Sequence, residues 1–238
     1  MALRPLEVNK VQRFTALVIG KAGIGKTSLL RTIPETEGVC VINAESGLLC
    51  VADLVESGRV QGYEVETVEE LREVYKALTT DEFKEKYKWV FIDSLTEISS
   101  RVVGQMKAKY TDRKDSFVMW GEYTDVMTNM IKVFRDIEHY NVVFTCLDDI
   151  DKDDNNKRYV APSISGSGLK NRLTSYFDEV FYYTMVTGEG GKEVRGFITQ
   201  PTAQYPAKDR SGKLGHSEEP NLGKIKEKIV RIKKGAKK

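Results

Sequence analysis

The chain has 238 residues, 40% of them hydrophobic, and this length fits one large α/β domain better than two complete domains. The formal net charge of +2 is too small to indicate a nucleic-acid partner, so the distribution of charge matters more than its total. No apolar run approaches the roughly 18 residues that a membrane span needs, so we expect a cytoplasmic protein with no membrane partner.

Six runs of β-favouring residues predict strands, and helical patterns fall between the first four of them. The predicted strands are residues 14–19, 39–43, 89–93, 141–147, 179–186 and 194–199. The predicted helices begin after residue 26 and continue with residues 67–83, 95–106 and 119–137. This alternation predicts an α/β fold with a mainly parallel central sheet flanked by helices. A glycine-rich turn at residues 188–191 predicts an antiparallel hairpin at one edge.

The segment between the first strand and the first helix fits the phosphate-loop pattern Gly-x-x-x-x-Gly-Lys-Thr. Its glycines let backbone N–H groups curl around phosphates, and the helix N-terminus adds a favourable dipole. We expect Lys26 to reach the β- and γ-phosphates of ATP and Thr27 to offer its hydroxyl to Mg²⁺. A glycine-rich turn with a chance lysine is the alternative. The predicted nucleotide-binding residues are Gly20, Lys21, Ala22, Gly23, Ile24, Gly25, Lys26, Thr27 and Ser28.

Two carboxylates follow directly on predicted strands. Asp93 ends an apolar strand in the manner of a Walker B aspartate, which holds Mg²⁺ through a water molecule. Glu45 follows the neighbouring strand, where a base or water-orienting group can face the γ-phosphate. The alternatives are an ordinary strand-ending aspartate and a solvated loop glutamate. Three cysteines and two histidines lack metal-ligand spacing, so no zinc site is expected.

The segments around these carboxylates, residues 40–45 and 89–94, resemble the core of RecA-type recombinases, whose catalytic glutamate occupies the place of Glu45. Over nearly its full length the chain resembles the phage-encoded nucleotide-binding proteins that act as single-strand annealing ATPases in phage recombination. The resemblance implies a RecA-like P-loop NTPase core at residues 1–222, a basic C-terminal tail at residues 223–238, and a phage or prophage protein in a bacterial host cell.

The same resemblance implies how the catalytic site is completed. In RecA-like rings and filaments, a Lys-x-Arg pair reaches the γ-phosphate bound by the neighbouring subunit, and Lys208 and Arg210 are similar in sequence and position. Cations supplied in this way stabilise the transition state and make hydrolysis depend on assembly. Lys26, Glu45, Lys208 and Arg210 are therefore the predicted catalytic residues of a homo-oligomer with nucleotide at the subunit interface. A basic surface turn is the alternative.

DNA contacts are also implied by the resemblance. The two loops that line the DNA channel of RecA-like proteins correspond to residues 107–115 and 149–168. Their cations suit phosphates and their tyrosines suit stacking on bases, although both loops also contain acids and solvated loops are the alternative. The predicted DNA-binding residues are Lys107, Lys109, Tyr110, Arg113, Lys114, Lys157, Arg158 and Tyr159.

Two features differ from RecA. Where RecA ends its fourth core strand in a glutamine that senses the γ-phosphate, this chain has Thr145-Cys146-Leu147-Asp148, and it lacks the long N-terminal helical segment that RecA uses to polymerise.

The combined interpretation is a Mg²⁺-dependent ATPase, stimulated by DNA, that binds single strands and promotes annealing or strand pairing. A single-strand binding protein is a further partner compatible with this activity. Two alternatives stay open: a regulatory or assembly module that uses ATP without DNA, and a P-loop kinase of small molecules.

Overall fold

The computed structural model describes residues 13–45, 47–153 and 155–230, with Glu189 described by its backbone only. Ten strands form one sheet. The strands are β1 Thr15–Gly20, β2 Val39–Asn43, β3 Val60–Glu64, β4 Trp89–Asp93, β5 Asn141–Lys152, β6 Arg158–Pro162, β7 Glu179–Thr187, β8 Glu193–Ile198, β9 Lys208–Asp209 and β10 Ser217–Glu218.

Seven α-helices and several short 3-10 helices connect the described strands. The α-helices are α1 Ala52–Glu56, α2 Val68–Leu78, α3 Asp81–Lys86, α4 Leu95–Lys109, α5 Ser116–Arg135, α6 Ser167–Lys170 and α7 Leu222–Val230. The 3-10 helices are Thr27–Thr32, Leu49–Val51, Arg113–Asp115, Leu173–Tyr176 and Glu189–Gly191. Among these residues, no helix is both long and apolar enough to cross a membrane.

The central part of the sheet is parallel, in the order β7-β1-β5-β4-β2-β3, with β8 and β10 continuing it beyond β7. The register sets the last residue of β1, Gly20, between Leu147 of β5 and Tyr183 of β7. Asn43 at the end of β2 lies opposite Asp93 at the end of β4. β7 and β8 form the expected antiparallel hairpin, so the predicted fold class is confirmed.

The sheet is parallel because its strands are apolar on both faces and helices cover each face. All residues of β1, β2 and β4 are buried. In β1, Leu17 and Ile19 belong to the core beneath α2, α4 and α5, while Ala16 and Val18 belong to the core beneath the 3-10 helix Thr27–Thr32, α1 and α7. This double burial fixes the end of β1 and with it the loop that follows.

Several elements differ from the sequence prediction. The predicted helix at residues 67–83 is two helices, α2 and α3, and the segment after the phosphate loop is a 3-10 helix. β3 was not predicted because it is a half-polar edge strand that contains Gly62. The predicted loop after β5 is largely an antiparallel hairpin of β5 and β6, whose polar sequence reflects its projection away from the core.

The C-terminal helix α7 packs on the domain. Leu222 is fully buried, its backbone N–H donates to Thr32 Oγ1 at 2.9 Å, and Lys226 forms an ion pair with Glu37 at 2.8 Å. Residues 223–230 of the predicted tail therefore form a docked helix. Residues 231–238 of that tail, and residues 1–12 of the predicted ATPase domain, lie outside the described residues.

Candidate active site

The phosphate loop follows β1 and has a conformation that requires glycine. Gly23 and Gly25 have φ angles of 74° and 109°, which L-residues rarely adopt. A Cβ atom on Gly20 would lie 2.6 Å from the carbonyl oxygen of Tyr183, and one on Gly25 would lie 3.3 Å from the guanidinium of Arg195, which approaches the loop from β8. Packing against β7 and β8 therefore shapes the loop before any ligand binds.

Lys26 folds back over this loop. Its ammonium donates to the carbonyl oxygens of Gly20 and Lys21 at 2.8 and 3.0 Å, and the residue is only 7% exposed. Burial lowers the pKa of Lys26 below its ordinary value. The ammonium is held at the point where the loop curls, as expected for a lysine that meets phosphate oxygens.

Asp93 joins three parts of the site. It is 2% exposed and accepts hydrogen bonds from the hydroxyl of Thr27, at 2.5 Å, and from the hydroxyl of Thr145 on β5. Burial raises its pKa above the ordinary range of an aspartate. The hydroxyl of Thr27 and a carboxylate beside it fit Mg²⁺ bound with a triphosphate. Among the described residues, no group of three ligating side chains forms a separate metal site.

Glu45 lies across the sheet end from Lys26, after β2. Its Oε1 accepts a hydrogen bond from the hydroxyl of Ser94, which follows Asp93 directly. Ser94 also caps α4, because its hydroxyl accepts from the N–H of Glu97 at 3.4 Å. The same hydroxyl therefore begins α4 and orients Glu45.

These groups line one cavity of about 640 Å³. Its described lining residues are Ala22, Gly23, Gly25, Lys26, Thr27, Ser28, Ala44, Glu45, Cys50, Thr96, Glu97, Arg101 and Leu147. The phosphate loop and Glu45 are therefore brought together as predicted, with Asp93 directly beneath Thr27. Of the predicted loop residues, Lys21 is exposed and Ile24 packs against the core below.

Lys208 and Arg210 lie at the other end of the sheet. Lys208 of β9 is paired with Val180 near the start of β7, whereas the phosphate loop begins beside Tyr183. This separation is roughly 10 Å along the strand. Lys208 donates to the carbonyl oxygen of Phe177 at 2.5 Å, and Arg210 pairs with Asp178 at 2.6 Å. The structure does not bring either cation to the phosphate loop of its own chain.

The predicted DNA-binding residues differ in what they contact. Lys109 binds both carboxylate oxygens of Glu122, at 2.7 and 2.8 Å, and the hydroxyl of Tyr110 donates to the same carboxylate. Tyr159 is half-buried in β6. The other five are exposed and make no ion pair with another described residue: Lys107, Arg113, Lys114, Lys157 and Arg158.

Sequence reasoning missed two polar residues of the site. Thr145 supports Asp93 from the intervening strand, and Arg101 of α4 lines the cavity beside Glu45. The signal for Arg101 was its spacing, because it lies one helical turn after Glu97 on the helix that Ser94 begins.

The phosphate loop with its buried lysine follows β1, and the buried aspartate ends β4, with β5 between these two strands. This arrangement defines a P-loop NTPase-type domain. A family model described as an AAA domain matches residues 12–211, and the chain therefore belongs to that AAA domain family. A comparison with curated proteins finds no match.

Glu179, close to Arg210, provides a test by pH. Glu179 is 2% exposed, and burial together with the neighbouring charge of Asp209 raises its pKa to about 8. The folded protein thus retains a proton that the unfolded chain releases near pH 4.5, so this group destabilises the fold progressively as pH rises from about 4.5 to 8. We expect Glu179→Gln to remove this pH-dependent loss of stability. The free energy of unfolding of the variant should therefore increase relative to that of the wild type as pH rises from about 4.5 to 8.

Urea unfolding at several pH values measures this difference. Glu64→Gln is the matched control, since Glu64 is exposed at the end of β3. A Glu179→Gln advantage that is the same at pH 5 and pH 8 would contradict the raised pKa.

Proposed function

We propose that this protein is a Mg²⁺-dependent ATPase that binds single-stranded DNA, is stimulated by it, and promotes annealing or strand pairing in phage recombination. Each nucleotide site is completed by a neighbouring subunit. The observation that carries the ATPase assignment is the convergence of Lys26, Thr27 and Glu45 on one cavity, with Asp93 beneath them.

In this mechanism, the loop N–H groups and Lys26 bind the β- and γ-phosphates. Thr27 and Asp93 would hold Mg²⁺, which when bound neutralises charge on those phosphates. The hydroxyl of Ser94 occupies Oε1 of Glu45, which leaves Oε2 to orient a water molecule toward the γ-phosphorus. Attack by that water breaks the bond to the oxygen that bridges the β- and γ-phosphates, and the products are ADP and phosphate.

Two substitutions separate nucleotide binding from turnover. Lys26→Ala should abolish ATP binding, because it removes the cation inside the loop. Glu45→Gln should leave binding intact and reduce turnover by about 10²- to 10⁴-fold, the usual contribution of a general base. Fluorescent-nucleotide titration and phosphate release measure the two effects. Lys76→Ala, which removes an exposed lysine on α2, is the control and should change neither property. Normal turnover in Glu45→Gln would refute the role of this carboxylate.

Completion of the site between subunits is supported by the position of Arg210. In the assembly that we propose, copies are arranged head to tail, with the end of the sheet that carries Arg210 against the phosphate loop of the next subunit. Arg13, Arg135 and Lys213 line the same cavity as Arg210, together with Asp136, Asp178 and Glu179. In this proposal Arg210 exchanges its ion pair with Asp178 for the triphosphate bound by the neighbour. A P-loop kinase of small molecules would not need cations at that end of the sheet.

Mixing two inactive variants tests this arrangement. Arg210→Ala and Glu45→Gln should each have little ATPase activity. In an equal mixture, one interface in four pairs an intact Glu45 with an intact Arg210, so about a quarter of wild-type turnover per subunit should return. The control is each variant alone, diluted with buffer to the concentration that it has in the mixture. A mixture no more active than its components would show that Arg210 does not act on a neighbour's nucleotide.

The DNA assignment rests on the RecA resemblance and on exposed groups near α5. Arg113 and Lys114 are unpaired among the described residues, and Phe117, three residues after Lys114, is 90% exposed. Unpaired cations next to an exposed ring suit the phosphates and bases of a single strand. The hydroxyl of Ser99 on α4 joins α5 to the segment after β6, because it hydrogen-bonds with the hydroxyl of Tyr123 at 2.7 Å and accepts from the N–H of Ser165 at 2.9 Å.

Fluorescence anisotropy with a labelled single strand tests this assignment. The same measurement distinguishes it from the alternative of a regulatory module that uses ATP without binding DNA. The double variant Arg113→Ala/Lys114→Ala should weaken binding and reduce the dependence of log affinity on log salt by about 1.4. Arg72→Ala/Lys76→Ala on α2 removes the same charge and is the control. Equal losses in both double variants would indicate non-specific attraction, and no binding by the wild type would favour a regulatory module.

A further inference from the structure

The positive charge of the side chains that line the nucleotide cavity is smaller than the negative charge of the triphosphate that the cavity would hold. A triphosphate carries about four negative charges at neutral pH. Among the described residues that line the cavity, the cations are Lys26 and Arg101, and they face the carboxylates of Glu45 and Glu97. Arg195 approaches the loop from outside the cavity. Arg101 is therefore the second source of positive charge within it.

Arg101 lies directly behind Glu45. Its Nη2 donates to the carbonyl oxygen of Ala44 at 2.8 Å, Nε lies 3.3 Å from Oε1 of Glu97, and Nη1 lies 3.5 Å from Oε1 of Glu66. The side chain is 25% exposed. Its two carboxylate partners are more exposed, at 76% for Glu66 and 42% for Glu97, so both ion pairs are weak and exchangeable.

Among the described residues that line the cavity, Thr96 has a hydroxyl that is already engaged, because it contacts Sγ of Cys146 and accepts from the N–H of Leu147. Leu147 of β5 is apolar and lines the cavity, while the hydroxyl of Thr145 is already committed to Asp93. A guanidinium beside Ala44 and Glu45 is suited to the terminal phosphate, because its planar set of donors can bind two phosphate oxygens at once.

We propose that Arg101 binds the γ-phosphate of ATP within the same chain, exchanging its contacts with Glu97 and Glu66 for phosphate oxygens while it keeps its hydrogen bond to Ala44. This inference rests on the proposed ATPase function and names a residue that distinguishes ATP from ADP. The hydrogen bond to Ala44 transmits the presence of the γ-phosphate to the backbone of Glu45, so Arg101 also positions the catalytic carboxylate.

A purely structural role would have a different effect on nucleotides. If Arg101 only held Ala44 in place, its loss would alter binding of ATP and ADP equally. If Arg101 binds the γ-phosphate, its loss selectively weakens the triphosphate, because ADP has no group at that position.

The test is titration of the full chain with a non-hydrolysable ATP analogue and with ADP, both with Mg²⁺. In Arg101→Ala, affinity for the analogue should fall about tenfold or more, while affinity for ADP should change less than about twofold. Arg101→Lys keeps the charge but loses the planar donors and should show an intermediate, equally selective loss. Arg72→Ala, an exposed arginine on α2, is the control and should change neither affinity.

Glu97→Gln provides the opposite test. It weakens a competing ion pair of Arg101 and should tighten binding of the analogue by a few fold without changing that of ADP. Equal losses for both nucleotides in Arg101→Ala and Arg101→Lys, or unchanged binding of the analogue, would overturn the inference. A wild-type protein that binds neither nucleotide would overturn both the proposed function and this inference. A wild-type protein that binds both nucleotides, together with equal losses in the Arg101 variants, would overturn this inference alone.

Discussion

The site depends on one buried carboxylate, because Asp93 holds together elements that are distant in sequence. Its two oxygens accept hydrogen bonds from Thr27 after the phosphate loop and from Thr145 on β5, and the next residue, Ser94, begins α4 and holds Glu45. A buried carboxylate without these donors would be strongly unfavourable, so the hydroxyls offset part of its desolvation. The phosphate loop, the position proposed for Mg²⁺ and the proposed catalytic carboxylate of Glu45 thus have their relative positions set by a single hydrogen-bonded group.

The parallel strands place different functional groups at the two ends of the sheet. Parallel strands bring the phosphate loop, Asp93 and Glu45 to their carboxyl ends, where they surround the nucleotide cavity. The amino ends of β1 and β7 carry a second cavity, about 610 Å³, with Arg210 among its cations. The second cavity also contains the carboxylates of Asp136, Asp178 and Glu179, so both ends of the sheet carry cavities of mixed charge.

Much of this arrangement could be predicted from sequence, because its signals are local. The Gly-x-x-x-x-Gly-Lys-Thr pattern after an apolar strand makes the phosphate loop recognisable, and the positive φ angles of Gly23 and Gly25 explain why the pattern needs glycine. Asp93 ends a plainly apolar strand. The position of Glu45 also follows from strand order once the RecA resemblance is recognised. β3 and the β5–β6 hairpin were not predictable in the same way, since polar edge strands and projecting ribbons lack an apolar period. Arg101 was missed because its sequence signal, a position one helical turn after Glu97, equally fits a solvated arginine until tertiary contacts are known.

The Lys26 side chain is hydrogen-bonded to its own loop, and this contact affects the thermodynamics of nucleotide binding. Its ammonium already occupies two carbonyl acceptors, and the loop is fixed by contact with β7. An incoming triphosphate therefore exchanges one set of oxygen acceptors for another and orders little additional chain. Binding to such a preorganised loop has a small penalty in conformational entropy, although Lys26 must give up two internal hydrogen bonds to reach phosphate oxygens.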